Sequence, residues 1–315
     1  MRIIRWIVFT LGLTAILYVG AFFVLCKIKY NGNALIYLWS DYYATQGGAT
    51  QIKSNEWNEY ASKYATWDVV VLGASRAERS YDPAIFDQNN LRIFNFGTSA
   101  QSIQNTSILV PYLLSGSSSI KEIWIDLYPA SFKDDALEST SDLIQNIGFF
   151  QAPFELAFES RDFRSLNLLM KRYFNSQDSK SNELSDYKGR GYVSVHKKMP
   201  EKLASTLSNF KPYSHSDFSV GSRSLMALEG ILETCAKHGV GCKFIISPMS
   251  VFGSEIELNR MKEAIAPILS KYGATCLDLS HLDSIQTALH FYDEKHLNAE
   301  GVKIFNDHLV KVIQQ

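Results

Sequence analysis

An uncharged, apolar run of 21 residues near the N-terminus constrains this chain more than any other feature of its sequence. Residues 6–26 read WIVFTLGLTAILYVGAFFVLC; Arg2 and Arg5 precede this run, and Lys27 and Lys29 follow it. As an α-helix the run would rise about 31 Å, which matches the hydrocarbon thickness of a bilayer. A cleaved signal peptide has a shorter apolar run followed by a small-x-small site, and neither is present. The run therefore predicts an uncleaved signal-anchor that crosses a membrane once.

The anchor divides the chain into three predicted segments. They are the anchor itself over residues 1–29, a juxtamembrane segment over 30–66, and an α/β domain over 67–315. Basic residues flank both ends of the anchor, and the amino terminus with the two preceding arginines favours an N-terminus in the cytoplasm. We therefore expect the α/β domain to lie in the periplasm or outside the cell.

Charge and cysteine content narrow the class of protein. The formal net charge is -1 and no basic stripe is present, which excludes a nucleic-acid-binding protein that neutralises phosphates. Cys26 lies in the anchor, so Cys235, Cys242 and Cys276 are an odd number that cannot pair completely. One disulfide among these three and three free thiols both remain open.

Apolar runs alternate with helical segments through most of the α/β domain. The predicted strands cover 67–72, 92–96, 122–127, 242–247 and 275–279, and the predicted helices cover 103–114, 222–238, 255–272 and 299–313. Strands that are apolar throughout are buried on both faces, so the pattern predicts a parallel sheet covered by helices on both sides. Residues 130–220 interrupt the alternation. There we expect a mainly helical insertion, with a helical patch over 154–174 and an exposed polar loop over 176–191.

Two polar motifs come directly after predicted strands, where parallel sheets bind their ligands. Gly73-Ala74-Ser75 follows the first strand, and a serine on such a turn exposes its hydroxyl while its own N–H can donate to an oxyanion. The segment at 95–99, NFGTS, follows the second strand, and the N–H of Gly97 is a candidate second oxyanion donor. Each motif also occurs as an ordinary strand-to-helix turn.

A third motif lies just before the last predicted helix. A serine hydroxyl needs a base to become a nucleophile, and neutral imidazole is the usual one. Asp293 stands three residues before His296, a spacing at which the carboxylate can hold Nδ1–H and leave Nε2 for Ser75. Surface loops also contain Asp-x-x-His. Taken together, the motifs predict Ser75 as the nucleophile, His296 as the base and Asp293 as the carboxylate that orients the base; no motif predicts this alone.

In this order the motifs resemble the SGNH (GDSL-like) hydrolase superfamily. Gly73-Ala74-Ser75 is similar to its first block, Gly97 to its second, and residues 293–296 to the Asp-x-x-His of its last. The segments GASRAERSYDP, WIDLYPASF, FIISPMS and DEKHLNAEG are most similar to a membrane-anchored bacterial branch related to DltD-like and exopolysaccharide O-acetylation proteins. The resemblance covers about residues 67–128 and 222–312, and it implies a three-layer, SGNH/flavodoxin-like α/β fold.

The resemblance also implies an activity. We expect a serine-dependent ester hydrolase or O-acyltransferase, with acetyl as the group handled and a cell-envelope or exported polysaccharide as substrate. The location would be the bacterial inner membrane, alone or beside a multi-pass membrane acyltransferase, and no cofactor is expected. The third block of active members is Gly-x-Asn-Asp, but here the strand runs into Asp126-Leu127-Tyr128-Pro129, without the asparagine that donates to the oxyanion. Losing one such donor costs about 10²–10³ in rate, so a catalytically silent scaffold that binds glycan or a membrane acyltransferase is the alternative.

Other polar residues near the motifs have two interpretations each. Arg76, Asn95 and Ser99 are candidate substrate-binding residues. Arg76 and Arg79 either bind an anionic substrate near Ser75 or pair with nearby acids on a solvated turn.

Two features remain outside the motifs. Asp126, Asp134 and Asp135 lack histidine partners at ligand spacing, so we expect no metal site there. The aromatic-rich insertion would serve equally as a platform for sugars or as a packed helical lid.

Overall fold

The structure is a computed structural model of the chain. It describes residues 1–30, 33–35, 47–63, 66–116, 119–133, 137–174, 186–211 and 216–314. Asp134 and Asp135, and most of the loop predicted over 176–191, lie outside the described residues.

The N-terminal apolar run forms one helix, α1 (Arg2–Lys27), which is long and apolar enough to cross a membrane. Only two of its side chains, Phe22 and Cys26, are buried. The helix ends where Ile28 turns extended and its N–H closes the last turn on the carbonyl of Val24. A helix with an apolar surface on nearly every side differs from a core helix of a soluble domain, which buries its apolar face.

Among the described residues between α1 and the central sheet there are two short strands and one helix. They are β1 (Lys29–Tyr30), β2 (Asn33–Ala34) and α2 (Gly48–Lys63), and the two strands pair antiparallel. Helix α2 lies in the predicted juxtamembrane segment, yet it packs on the sheet. Trp57 is 2% exposed and stacks on Trp67, with ring centroids 5.8 Å apart. The segment beyond the anchor therefore contributes to the core.

Five parallel strands form the central sheet, in the order β4-β3-β5-β6-β7. They are β3 (Thr66–Gly73), β4 (Ile93–Asn95), β5 (Ser119–Asp126), β6 (Gly241–Ile246) and β7 (Thr275–Asp278). The predicted α/β fold with a parallel sheet is confirmed. All five carboxyl ends lie along one edge of the sheet, because parallel strands share one direction.

Helices cover both faces of this sheet. Alternate residues of β3 point to opposite sides: Val70 and Leu72 join the core on one face, and Val69 and Val71 join the core on the other. The first face is covered by α2, α5 (Ile103–Leu114), α6 (Leu137–Asn146), α7 (Ala152–Glu159), α8 (Phe163–Phe174), α10 (Ser222–His238) and α11 (Glu255–Tyr272). The second face is covered by α3 (Ser75–Ser80), α4 (Pro83–Asp87) and α13 (Ala299–Ile313). The short helices α9 (Glu201–Thr206) and α12 (Thr287–His290) lie in connecting segments.

The patch predicted as helical over 154–174 is helical in the structure but is not continuous. It consists of α7 and α8, separated by a turn at which Arg161 adopts a positive φ of 54°. The sequence after the turn favours a new start, because the Asp162 carboxylate accepts the N–H of Arg164 at 2.8 Å in the first turn of α8.

The prediction of an exposed loop is wrong for its last residues. The carbonyl of Arg190 accepts the N–H of Asn95, in the edge strand, at 2.9 Å, and Gly191 is buried. Gly191 has a φ of +86°, and a Cβ there would meet the carbonyl oxygen of Asn95. Residues 190–191 therefore cover the edge of β4, which the polar composition of the predicted loop does not indicate.

All four cysteines are free. Cys26 and Cys235 are buried, and Cys242 and Cys276 are half-buried.

Candidate active site

Ser75 stands on a sharp turn between β3 and α3. Gly73 has a φ of +146°, and a Cβ at this position would lie 2.9 Å from both the Ala77 Cβ and the Asp126 carbonyl oxygen. Glycine is therefore required for the close approach of strand and helix. Ala74 precedes the helix in an extended conformation and has no side-chain group that could cap it. Ser75 opens α3 and is partly exposed.

The structure brings Ser75, His296 and Asp293 together. Ser75 Oγ lies 2.8 Å from His296 Nε2, and His296 Nδ1 lies 2.8 Å from Asp293 Oδ2 and 3.0 Å from Asp293 Oδ1. A neutral imidazole in this position donates its Nδ1 proton to the carboxylate and accepts the serine hydroxyl proton at Nε2. The chemical result is a serine whose proton has a base within direct hydrogen-bonding reach.

The loop that carries His296 is held by its own backbone. Asp293 Oδ1 accepts the N–H groups of Lys295 and His296, both at 2.8 Å, and Phe291 pairs with Leu297 across the turn. Partial burial alone would raise the pKa of the Asp293 carboxyl. The hydrogen bonds from the imidazole and from the two N–H groups outweigh burial and lower this pKa below its usual value. Asp293 is therefore held as a carboxylate, which is the form that orients imidazole.

Asn95 lies beneath α3, where no substrate can reach it. Its side chain is fully buried, and Nδ2 donates to the carbonyls of Ala77 at 2.8 Å and Tyr81 at 3.1 Å. Its Oδ1 accepts the N–H of Gly97 at 3.1 Å. The structure thus corrects the expectation that Asn95 contacts substrate. It also shows that the predicted oxyanion donor, Gly97, already has an acceptor and would have to exchange it.

Arg76 is buried, which neither of its predicted roles allows. Nη2 donates to the Ser247 carbonyl at 2.6 Å, to Ser247 Oγ at 2.9 Å and to the Pro248 carbonyl at 2.8 Å. The guanidinium also lies 4.8 Å from the ring centre of Tyr128. Arg76 therefore fastens α3 to the loops after β5 and β6, and it is not a substrate-binding residue. Ser99 stays a candidate, because it is partly exposed in the turn after β4.

Arg79, unlike Arg76, lies beside the candidate site. It stands four residues after Ser75 on α3, so both side chains lie on one face of the helix. Its Nη1 is 3.4 Å from His296 Nε2, the nitrogen that also contacts Ser75. The side chain is 25% exposed, and its buried Nε has no hydrogen-bond acceptor among the described residues. The ring of Tyr292 stacks on the imidazole, with centroids 5.6 Å apart.

A buried ion pair supports α3 from behind. The ammonium of Lys53, on α2, lies 3.2 Å from Glu78 Oε1 and also donates to the carbonyl of Gly97. Both side chains are almost completely buried, and burial lowers the pKa of Lys53 although the Glu78 carboxylate opposes the effect. A buried charge needs such a partner. Lys53 lies in a segment that the sequence assigns to the juxtamembrane region, so sequence reasoning missed it.

Asp126 is the last residue of β5 and lies at the carboxyl edge of the sheet. Its carboxylate is buried and accepts the hydroxyl of Tyr81 at 2.8 Å. Burial raises the pKa of Asp126, although the nearby Arg76 opposes the shift. Asp126 therefore links Tyr81, which follows α3, to the end of β5, and its side chain supplies no amide donor.

Comparison of the chain with models of known protein families gives no match, and comparison with curated proteins gives none.

Proposed function

We propose that this protein is a serine-dependent ester hydrolase or O-acyltransferase of the SGNH type. The contact of 2.8 Å between Ser75 Oγ and His296 Nε2, continued to Asp293, carries the proposal. The sheet supports it independently. Strand β3 comes first in the chain, and β4 and β5 lie on its two sides, as in SGNH/flavodoxin-like folds. The strand order therefore reverses at β3, and ligands bind such sheets at the point of reversal. Ser75 stands at that point.

The reaction follows from these three residues. As Ser75 Oγ attacks an acyl carbonyl, its proton moves to His296 Nε2, and the new C–O bond gives a tetrahedral oxyanion. The intermediate collapses by breaking the bond to the alkoxide, which takes the proton back from His296. Water or a sugar hydroxyl then attacks the acyl-serine with His296 again as base. The products are a free acid or an acylated sugar, and Ser75 is restored.

The oxyanion needs donors, and three groups are candidates. The N–H of Ser75 lies in the first turn of α3, the N–H of Gly97 donates to Asn95, and Arg79 Nη1 lies 3.4 Å from His296 Nε2. We propose that the Arg79 guanidinium takes the role of the amide that the third block lacks, because a cation near the reacting serine stabilises developing negative charge.

Replacing Arg79 with alanine is therefore expected to lower kcat by about 10²–10³, the usual cost of one oxyanion donor. Arg79→Lys should recover part of kcat, since the positive charge stays near the site. Hydrolysis of an aryl acetate by purified protein measures the effect. The matched control is Arg164→Ala, because Arg164 is 63% exposed on α8 and distant in the chain from the triad. An Arg79→Ala enzyme with the kcat of the control would remove Arg79 from the mechanism.

The location of the protein is part of the proposal. Helix α1 is long and apolar enough to serve as a single-pass anchor, and basic residues precede it. We propose that it holds the domain on the outer face of the bacterial inner membrane. The resemblance to exopolysaccharide O-acetylation proteins favours a cell-envelope or exported polysaccharide as the substrate and acetyl as the group.

A second candidate is a catalytically silent SGNH-fold scaffold that binds glycan or a membrane acyltransferase. One observation favours it: the Gly97 N–H is engaged by Asn95 while the third-block asparagine is missing.

A fluorophosphonate probe separates the enzyme from the scaffold. In such a probe an activated serine displaces fluoride from phosphorus and becomes a phosphonate ester, so we expect one adduct, mapped by mass spectrometry to Ser75 in the full chain solubilised in mild detergent. Heat-unfolded protein is the control for non-specific labelling. A folded chain that acquires no adduct would favour the scaffold.

A further inference from the structure

Helix α8 of the insertion lies alongside the C-terminal half of α1. The rings of Tyr18 and Phe163 are 5.5 Å apart, and the Tyr18 hydroxyl donates to the side chain of Asn167. Further along both helices, the rings of Phe23 and Phe174 are 5.4 Å apart. The order of these contacts means that the two helices run in the same direction, with the start of α8 level with Tyr18.

This arrangement limits where the bilayer can lie. If the start of α8 stood clear of the membrane, only residues 3–17 of α1 would remain to cross it. Fifteen residues of helix rise about 22 Å, which falls short of the hydrocarbon thickness of about 30 Å. If more of α1 crosses the membrane, Tyr18 lies at the bilayer surface. Phe163 then lies there too, because its ring contacts that of Tyr18.

The corner between α7 and α8, residues 158–164, has the surface that such a position requires. Phe158 is 68% exposed and Phe163 is 61% exposed, and a water-facing surface would leave both rings unburied without compensation. Arg161 is exposed between them, while Asp162 is neutralised by Arg164 at 2.6 Å. Aromatic rings flanked by arginine are typical of the headgroup layer, where the rings enter the acyl boundary and the guanidinium meets phosphate.

We propose that the α7–α8 corner is inserted in the outer headgroup layer of the same bilayer that α1 crosses. The ligand of this surface is phospholipid. The inference rests on the proposed anchor and is independent of the proposed chemistry. Two attachments, α1 and the corner, would hold the domain at a fixed tilt and height, so the catalytic edge of the sheet would face one direction relative to the membrane.

Photo-crosslinking in the full-length protein tests this. The photoreactive residue p-benzoylphenylalanine replaces Phe163 in one variant, Phe9 in a second and Leu289 in a third, each reconstituted in vesicles of phosphatidylethanolamine and phosphatidylglycerol. Phe9 lies in the first third of α1, within the uncharged apolar run, and reports the anchor. Leu289 is 48% exposed on α12, which packs with α13 on the opposite face of the sheet, and is the matched control.

After illumination, mass spectrometry measures the fraction of chain that carries lipid. We expect adducts at Phe9 and Phe163, with Phe163 at least about tenfold above Leu289, because only a ring in the interface meets acyl chains. If the variant at Phe9 forms lipid adducts but the variant at Phe163 forms no more than the variant at Leu289, the corner does not contact lipid, while the anchor is supported. A lack of adducts at Phe9 would overturn the anchor and the corner with it. A crosslink from Phe163 to a second protein chain would assign the surface to dimer formation and overturn the lipid contact.

Discussion

Replacing Ser75 with alanine should lower ester hydrolysis by between about 10⁴- and 10⁶-fold, since residues that act as one catalytic unit lose most of their effect when any member is removed. The substitution deletes one oxygen, whose contact is the 2.8 Å bond to His296 Nε2. The side chain is partly exposed on its turn, so the fold should be unchanged. Initial rates with an aryl acetate, together with the adduct from the fluorophosphonate probe, measure the loss.

Ser107→Ala is the matched control for this variant. Ser107 is also partly exposed, but it lies on α5, where its hydroxyl donates to the carbonyl of Gln104 at 2.7 Å. We expect Ser107→Ala to keep its phosphonylation by the probe and to change kcat by far less. The double variant Ser75→Ala/His296→Ala should be no slower than Ser75→Ala alone, because without the nucleophile the base has nothing to activate. Circular dichroism spectra identical to those of the parent protein establish that the variants fold.

The Ser75→Ala variant also tests the biological substrate. In cells that depend on this protein for acylation of an envelope glycan, Ser75→Ala should leave the glycan without its acyl ester while the protein still reaches the membrane. Wild-type acyl content in those cells would assign the protein to the scaffold class.

Much of the fold could be predicted because its signals are local. The strand WDVVVL and the helix bounds at Ser222–His238 and Glu255–Tyr272 follow from continuous apolar runs, helical periodicity and the glycines after each helix. The contact between Ser75 and His296 was also predictable, although the residues are 221 positions apart in the chain. Each follows a strand or precedes a helix at the carboxyl edge, and parallel strands bring that edge together.

The parts that could not be predicted depend on distant partners. Arg76 reads as a solvated arginine, and only the loop after β6, 171 positions later in the chain, shows why it is buried. Lys53 and Asn95 are polar residues whose partners lie on other elements, so no local pattern marks them as buried. Gly191 differs, because its glycine is required by the close approach of the Asn95 carbonyl. For Arg76, Lys53 and Asn95, the role of the buried polar group depends on a hydrogen-bonding partner that composition does not reveal.

Asp293→Asn should lower kcat by about 10⁴-fold through the tautomer of His296, by analogy with the same change in serine proteases. Oδ1 of residue 293 accepts the backbone N–H groups of Lys295 and His296 at 2.8 Å each, and an asparagine carbonyl would take over both bonds. The amide NH₂ would then occupy the position of Oδ2, 2.8 Å from Nδ1. An NH₂ group donates, so Nδ1 would become the acceptor and the imidazole proton would move to Nε2. That nitrogen could no longer accept the proton of Ser75.

The loop should keep its conformation in this variant, because the asparagine preserves the two backbone bonds. The effect should therefore fall on kcat and on the rate of labelling by the fluorophosphonate, with little change in thermal unfolding. Asp307→Asn is the matched control: it makes the same substitution on α13, where the carboxylate is 46% exposed and 4.0 Å from Lys303. Asp293→Ala should be as slow as Asp293→Asn in turnover but should also destabilise the loop, since it loses the backbone acceptor. If Asp293→Asn labels and turns over within about tenfold of the Asp307→Asn control, the carboxylate does not orient His296 and the three residues do not act as a catalytic unit.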